Sequence, residues 1–205
     1  MEDGPDLPGA SATLRRLRPD DAPAYRALML QAYAEHPDAF TSSVAERAGV
    51  PLAWWAARLR EGALATEIVL GALDQGLLLG VVGLRCNLIE RTRHKALLFG
   101  MAVASGQRRL GLGRRLVEAA CAEALARPGL RLLQLTVSEG NLPACRLYEA
   151  CGFRPYGLEP MALLLDGQPI AKLHMWRPLA GAAGLAWEDR PGRTPAPELE
   201  PRSPR

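Results

Sequence analysis

Between His94 and Ser138 the chain changes its hydrophobic period twice, and this change restricts the fold more than any other feature. His94–Ala104 is a nearly continuous apolar run. Gln107–Ala126 opens as a Gly-rich turn and continues as a helix. Leu112, Leu116, Ala119 and Ala120 form its inner face, and Pro128-Gly129 follows its end. Leu130–Ser138 is a strand again, with Leu133, Leu135 and Val137 on one face. A strand, helix and strand in one sheet predict a crossover connection between two central strands. Gly100, mid-strand, marks a bulge or a close backbone approach.

The flanking segments extend this core. Thr13–Arg18 reads as a strand, and Pro19-Asp20-Asp21 caps a helix that tolerates Pro23 in its first turn. Its stripe is Tyr25, Leu28, Met29 and Ala32. Glu35–Gly49 reads as a loop. Pro51 opens a second, short helix through Arg60 that carries Trp54, Trp55 and Leu59. Thr66–Leu73 and Leu77–Cys86 form a hairpin around Asp74-Gln75-Gly76. Asn141 caps a helix reaching Ala150, and Gly152 is its stop. Phe153–Leu165 and Pro169–Trp176 close the body as a hairpin around Asp166-Gly167. The whole is a mixed α/β layout.

A chain of 205 residues holds one sizeable core and not two comfortable ones. Residues 12–180 are expected as a single domain. Residues 1–11 are rich in Gly, Pro and Asp, and residues 181–205 carry five prolines and three glycines. Both read as disordered tails, with Trp187 the one large apolar group in the second. A net charge of +3 without a Lys/Arg run permits an anionic ligand and gives no reason to expect nucleic acid. Four cysteines (86, 121, 145 and 151) without a CxxC pair suit a reducing cytoplasm. MEDGPDLPGA has no apolar h-region, so no signal peptide is expected, and no run approaches the roughly 20 apolar residues of a membrane span.

Arg108-Arg109-Leu110-Gly111-Leu112-Gly113-Arg114-Arg115-Leu116 lies between a strand end and a helix start. A helix N-terminus has unpaired N–H groups and partial positive charge, and so holds phosphate. Gly111 and Gly113 let the backbone turn and approach a ligand. The segment is not a P-loop, because no Lys-Ser or Lys-Thr follows. Nor is it a dinucleotide fingerprint, because position 116 is leucine where a third glycine belongs.

Downstream, Asn141-Leu142-Pro143-Ala144-Cys145-Arg146-Leu147-Tyr148-Glu149-Ala150-Cys151-Gly152-Phe153 closely resembles the N-x-x-A-x-x-L-Y-x-x-x-G-F signature of the GNAT superfamily of N-acetyltransferases. Arg108–Gly113 is similar to that family's R/Q-x-x-G-x-G/A loop, and the two stand in the family's order. The resemblance covers about residues 13–178. His36–Phe40 and Gly157–Gly167 look similar to a bacterial branch to which no acceptor can be attached. The implied fold is α/β (α+β): a mixed, mostly antiparallel central sheet, a splay between two central parallel strands, and about four flanking helices.

The resemblance also implies roles. Acetyl-CoA would be the cosubstrate, with no metal. The backbone of Arg108, Arg109, Leu110, Gly111, Leu112, Gly113 and Arg114 would hold the pyrophosphate. Met101, Ala102 and Val103 would hydrogen-bond the pantetheine arm. Asn141 would contact that arm or cap its helix, and Tyr148 would sit near the thioester sulfur as general acid. Residues 141 and 148 are about two helical turns apart and share a face. A phenol of pKa about 10 protonates a thiolate of pKa about 8.5 only uphill, by roughly 2 kcal/mol.

The acceptor half is less defined. Many family members carry a glutamate on the bulged strand, and His94–Ala104 has no carboxylate. Glu139 is the candidate base, with His94 and Glu90 as alternatives beside a water chain or an amine arriving neutral. Cys145 is not read as a nucleophile. Tyr33, Phe40, Trp54 and Tyr156 are candidate acceptor contacts, with Trp55 and Met161 also considered; His174 and Met175 read as structural. The expected reaction is direct acetyl transfer to a primary amine of a small molecule, amino acid or peptide N-terminus. The alternative is a coenzyme A-binding module without catalysis, acting as a sensor or partner subunit. Nucleic acid and membrane partners are not expected. Dimers are common on this fold, so a homodimer is an expectation by analogy alone.

Overall fold

The computed structural model describes residues 12–62 and 65–179. The tail assignments, Trp187 included, lie outside the described residues. In chain order the elements are β1 (Thr13–Arg16), α1 (Ala22–Glu35), α2 (Val44–Ala48), α3 (Leu52–Ala57), β2 (Glu67–Asp74), β3 (Leu77–Cys86), β4 (Lys95–Val103), α4 (Leu112–Leu125), β5 (Leu132–Ser138), α5 (Leu142–Ala150), β6 (Arg154–Leu165) and β7 (Gln168–Pro178). The seven strands form one sheet in the order β1-β2-β3-β4-β5-β7-β6.

Neighbouring strands run antiparallel except β4 and β5, which are parallel as the crossover requires. Their pairing is short. It covers Lys95↔Leu132, Ala96↔Leu133 and Leu97↔Gln134 and then ends. β4 continues to Val103 on the edge of β3, and β5 continues to Ser138 on the edge of β7. The two strands therefore part after Leu97. β4 is also bulged: Phe99 faces Gly83 and Ala102 faces Val81, which leaves Gly100 and Met101 opposite Val82. Gly100 has φ +59, a left-handed backbone that glycine adopts at no steric cost.

Both sheet faces are covered, so the central strands read as continuous apolar runs. Leu79, Val82 and Leu84 of β3 join Leu116, Val117 and Ala120 of α4 in one core. Leu78 and Val81 join Tyr25, Met29 and Trp55 of α1 and α3 in the second. The stretch expected as a loop between α1 and α3 contains α2. Ser43 caps it by accepting from Glu46 N, while Glu46 accepts from Ser43 N. That reciprocal capping box, and not an apolar stripe, defines this five-residue helix. No described helix is long and apolar enough to cross a membrane.

Candidate active site

The parting of β4 and β5 opens a cleft of about 450 Å³. Leu97–Met101 of β4, Thr136–Ser138 of β5 and Asn141, Ala144, Leu147 and Tyr148 of α5 form one side. Residues of α1, α3 and the connection around α2 form the other, among them Tyr33, Phe40, Arg47, Trp54 and Arg58.

The Gly-rich turn lies at the C-terminal end of β4. Gly111 is the N-cap residue of α4 with φ +76, and Arg109 has φ +66. The first helical hydrogen bond of α4 runs from Arg115 N to Gly111 O at 3.1 Å, so the amides of Leu112, Gly113 and Arg114 precede the ladder. A Cβ on Gly111 would meet no atom within 4 Å, which leaves open space beside the turn. At Gly113 a Cβ would stand 2.9 Å from Met101 Cε, so the helix start packs against the bulged strand. The turn thus fits a pyrophosphate on grounds of its free amides and the open space.

The arginines are largely engaged elsewhere. Arg108 donates to Glu35 Oε2 at 3.1 Å and to Val103 O at 3.3 Å. Ser105 Oγ also donates to Glu35, and these contacts, Ser105 first, hold the Glu35 carboxyl below its usual range. Arg114 pairs with Glu118 at 2.7 Å, and Arg115 donates to Ala12 O at 2.5 Å. Among the described residues Arg109 has no such partner, so its guanidinium and the backbone amides are the donors this loop offers.

Asn141 and Tyr148 line the same cleft. Asn141 Oδ1 accepts from Ala144 N at 3.2 Å and so caps α5. Its amide nitrogen is not used in that cap. Tyr148 is buried, edge-on to Phe153 at 5.9 Å. Burial, then the neighbouring Cys145 and Cys151, push its phenol well above the ordinary value. Tyr148 therefore keeps its proton near neutral pH and is a weaker acid than a free phenol, which widens the gap to a leaving thiolate. Cys145 is buried with its thiol pushed up by burial first, which opposes thiolate chemistry.

The remaining candidates divide. Met101 lines the cleft, while Ala102 is buried under α1 and pairs with Val81. Tyr33 and Phe40 meet edge to face at 5.0 Å in the cleft wall. Trp54 lines the same wall, and Trp55 is core, edge-on to Tyr25. Tyr156 stands outside the cleft, accepting from Gln134 Nε2 at 3.0 Å, and Met161 is exposed. Glu139 is exposed and outside the lining; its backbone N–H pairs with Ala171 O. Glu90 and His94 are outside it too. His174 bonds Glu159 at 2.8 Å, and Met175 is core.

The sequence reading missed four cations in the lining: Arg47, Arg58, Arg85 and Lys172. Among the described residues, none in the lining is a carboxylate or an imidazole. One local signal existed, since Arg58 follows Trp54 by four residues, the spacing of helical neighbours. Lys172 had no such signal; it reaches the cleft because β5–β7 register sets it opposite Ser138.

A mostly antiparallel sheet with one short parallel pair that parts beside a glycine-capped helix start, with a tyrosine-bearing helix along the gap, is the arrangement of an acetyltransferase fold. The description "Acetyltransferase (GNAT) family" matches residues 14–153, and the chain belongs to that family. Among solved structures, an acetyltransferase of the GNAT family from Streptococcus pneumoniae is 26% identical, with TM-score 0.75 over 82% of this chain and 99% of that one. A ribosomal-protein-alanine N-acetyltransferase from Brucella melitensis is 25% identical, with TM-score 0.67 over 82% and 99%. The putative acetyltransferase yncA from Salmonella typhimurium, solved with its cofactor acetyl-CoA, is 21% identical, with TM-score 0.68 over 82% and 94%. No curated protein matches the chain in sequence.

Proposed function

We propose that this protein transfers an acetyl group from acetyl-CoA directly to a primary amine of a small molecule or peptide. The observation that carries the reading is the cleft itself: the parted β4/β5 pair, the adjoining helix start whose Gly113 packs on Met101 of the lining, and the buried Tyr148 in the wall. Acetyl-CoA supplies an acyl thioester and a thiol leaving group. The amides of Leu112, Gly113 and Arg114 hold its phosphates. The bulged backbone around Met101 lines the reacting end, where N–H donors stabilise developing negative charge. Tyr148 keeps its proton and donates a hydrogen bond that strengthens as the sulfur departs. Among the described residues no lining side chain is a carboxylate or imidazole base, and the amine loses its proton through water or arrives neutral.

That same absence favours a second reading, a coenzyme A-binding module without catalysis that acts as a sensor or partner subunit. Thiol release from acetyl-CoA across a panel of amines separates the two. Turnover that Tyr148→Phe lowers by about a hundredfold, with acetyl-CoA affinity retained, is the expected result. Acetyl-CoA binding without thiol release on the whole panel would establish the second reading.

A further inference from the structure

The cleft wall formed by α3, β3 and β4 is a ladder of cations and aromatic rings. The Arg47 and Arg58 guanidinium carbons lie 4.7 and 4.6 Å from the Trp54 ring centre. Arg58 also lies 5.3 Å from the Phe99 ring, and Arg85 lies 4.8 Å from it. Stacking fixes each guanidinium plane and leaves its edge for hydrogen bonds.

The charges in this wall are only partly balanced by the described residues. Among the described residues, Glu67 is the one carboxylate that meets the ladder, taking Arg58 at 2.9 Å and Arg85 at 2.8 Å. Among the described residues, Arg47 has no ion pair, and its guanidinium donates only to Ser42 Oγ at 2.9 Å. Arg58 Nε is buried without an acceptor. Lys172 is 7% exposed, and its Nζ donates to Thr41 Oγ1 at 3.0 Å without a carboxylate contact. A buried cation bonded only to a hydroxyl is costly, and an anion supplied by a ligand relieves that cost.

An acceptor amine is itself a cation before it reacts. Four lining cations against the single Glu67 carboxylate, among the described residues, leave a net positive wall that repels a simple alkylammonium ion. We infer that the acceptor is a small amine that also carries an oxyanion, a carboxylate or phosphorus oxyacid group, held by Arg47 and Arg58 on Trp54 together with Lys172. Planar guanidinium edges bind such groups in a bidentate fashion, and an ammonium adds a point charge. The arrangement also addresses the missing base. Neighbouring cations lower the pKa of a bound ammonium group, so more of the amine is neutral and nucleophilic. Burial pushes the Lys172 ammonium below its ordinary range, and Glu159, its cross-strand partner, acts in the opposite direction.

The name "acceptor" rests on the acetyl-transfer reading; the oxyanion site does not. Binding is therefore measured apart from turnover, by isothermal titration calorimetry on the full chain saturated with coenzyme A. The probes are matched pairs: glycine, aspartate and glutamate against their amides, and aminomethylphosphonate and 2-aminoethylphosphonate against alkylamines of equal length. An oxyanion member is expected to bind at least about tenfold more tightly than its neutral partner. Arg47→Gln is expected to weaken that binding by about tenfold to a hundredfold, Arg47→Lys to restore part of it, and coenzyme A affinity to stay constant. Lys172→Met provides a second, independent loss. Carboxylate and phosphonate arms distinguish the two oxyanion sources. Equal binding of neutral partners, no binding by any probe, or a loss in Arg47→Gln confined to coenzyme A overturns the inference. Oxyanion binding without thiol release keeps it and counts against acetyl transfer instead.

Discussion

The Phe99 ring covers Gly83, its cross-strand partner. A Cβ built on the glycine would lie 2.4 Å from Phe99 Cζ and 2.6 and 2.7 Å from the two Cε atoms. The ring fills the place of the missing side chain and in turn carries the Arg58 and Arg85 guanidinium groups. Gly83→Ala is expected to displace the ring and cost about 1–3 kcal/mol in urea unfolding. In a Phe99→Ala background the same change should cost well under half of that, because the colliding ring is gone. An unchanged cost in both backgrounds would place the strain elsewhere.

Gly111 separates backbone conformation from steric contact. Its φ of +76 is left-handed, yet a Cβ there would touch nothing within 4 Å. Gly111→Ala is therefore expected to cost about 1 kcal/mol through the backbone alone and to weaken acetyl-CoA binding severalfold. Asparagine tolerates the left-handed region better, so Gly111→Asn should recover part of both losses. Chemical denaturation and calorimetric titration read the two effects separately, and identical losses in both variants would mean that any side chain obstructs the turn.

Asp21 ties the start of α1 to β1. It accepts from Arg15 through both carboxylate oxygens, at 2.7 and 2.8 Å, and from Arg18 N at 2.7 Å. The Arg15 hydrogen bonds, foremost, hold its carboxyl below the ordinary value. A depressed folded-state pKa means that the unfolded chain takes up the proton first as pH falls. The stabilisation is then complete above the unfolded pKa of about 3.9 and disappears as pH drops through the folded value. Asp21→Asn should cost about 1 kcal/mol near neutral pH, a modest figure because Arg15 is partly exposed. Thermal melts of both proteins should converge below about pH 3, and a gap independent of pH would exclude the carboxylate as its source.

The elements legible in the sequence were those with a strong local signal. The stripe from Tyr25 to Ala32 gave α1, the change of period from 94 to 138 gave the parallel pair, and Gly100 marked the bulge. Helix α2 escaped because its five residues are fixed by the Ser43–Glu46 box within a polar stretch. On the donor side, one contiguous motif led to Asn141 and Tyr148, which line one cleft, while the Arg108–Gly113 loop stands outside that lining and adjoins it through Gly113, packed against Met101 and Leu147. The cationic wall had no contiguous motif. Arg47, Arg58, Arg85 and Lys172 come from α2, the end of α3, β3 and β7, and only strand register and helix packing bring them together. Side chains that share a site through tertiary structure alone leave no spacing to read.

Asn141 offers a way to separate folding from binding at one side chain. Its Oδ1 caps α5 through Ala144 N, and its amide nitrogen is left over in the cleft wall. Aspartate keeps an oxygen for the cap and removes the N–H donors, whereas alanine removes both. Asn141→Ala is expected to destabilise the protein by about 1 kcal/mol, and Asn141→Asp to stay near the parent in unfolding experiments. If the amide also holds the pantetheine arm, both variants should bind acetyl-CoA severalfold more weakly, since a neutral hydrogen bond contributes about 1 kcal/mol. Parent-like affinity in Asn141→Asp would restrict Asn141 to capping. The contact with the arm would then fall to the β4 backbone around Met101.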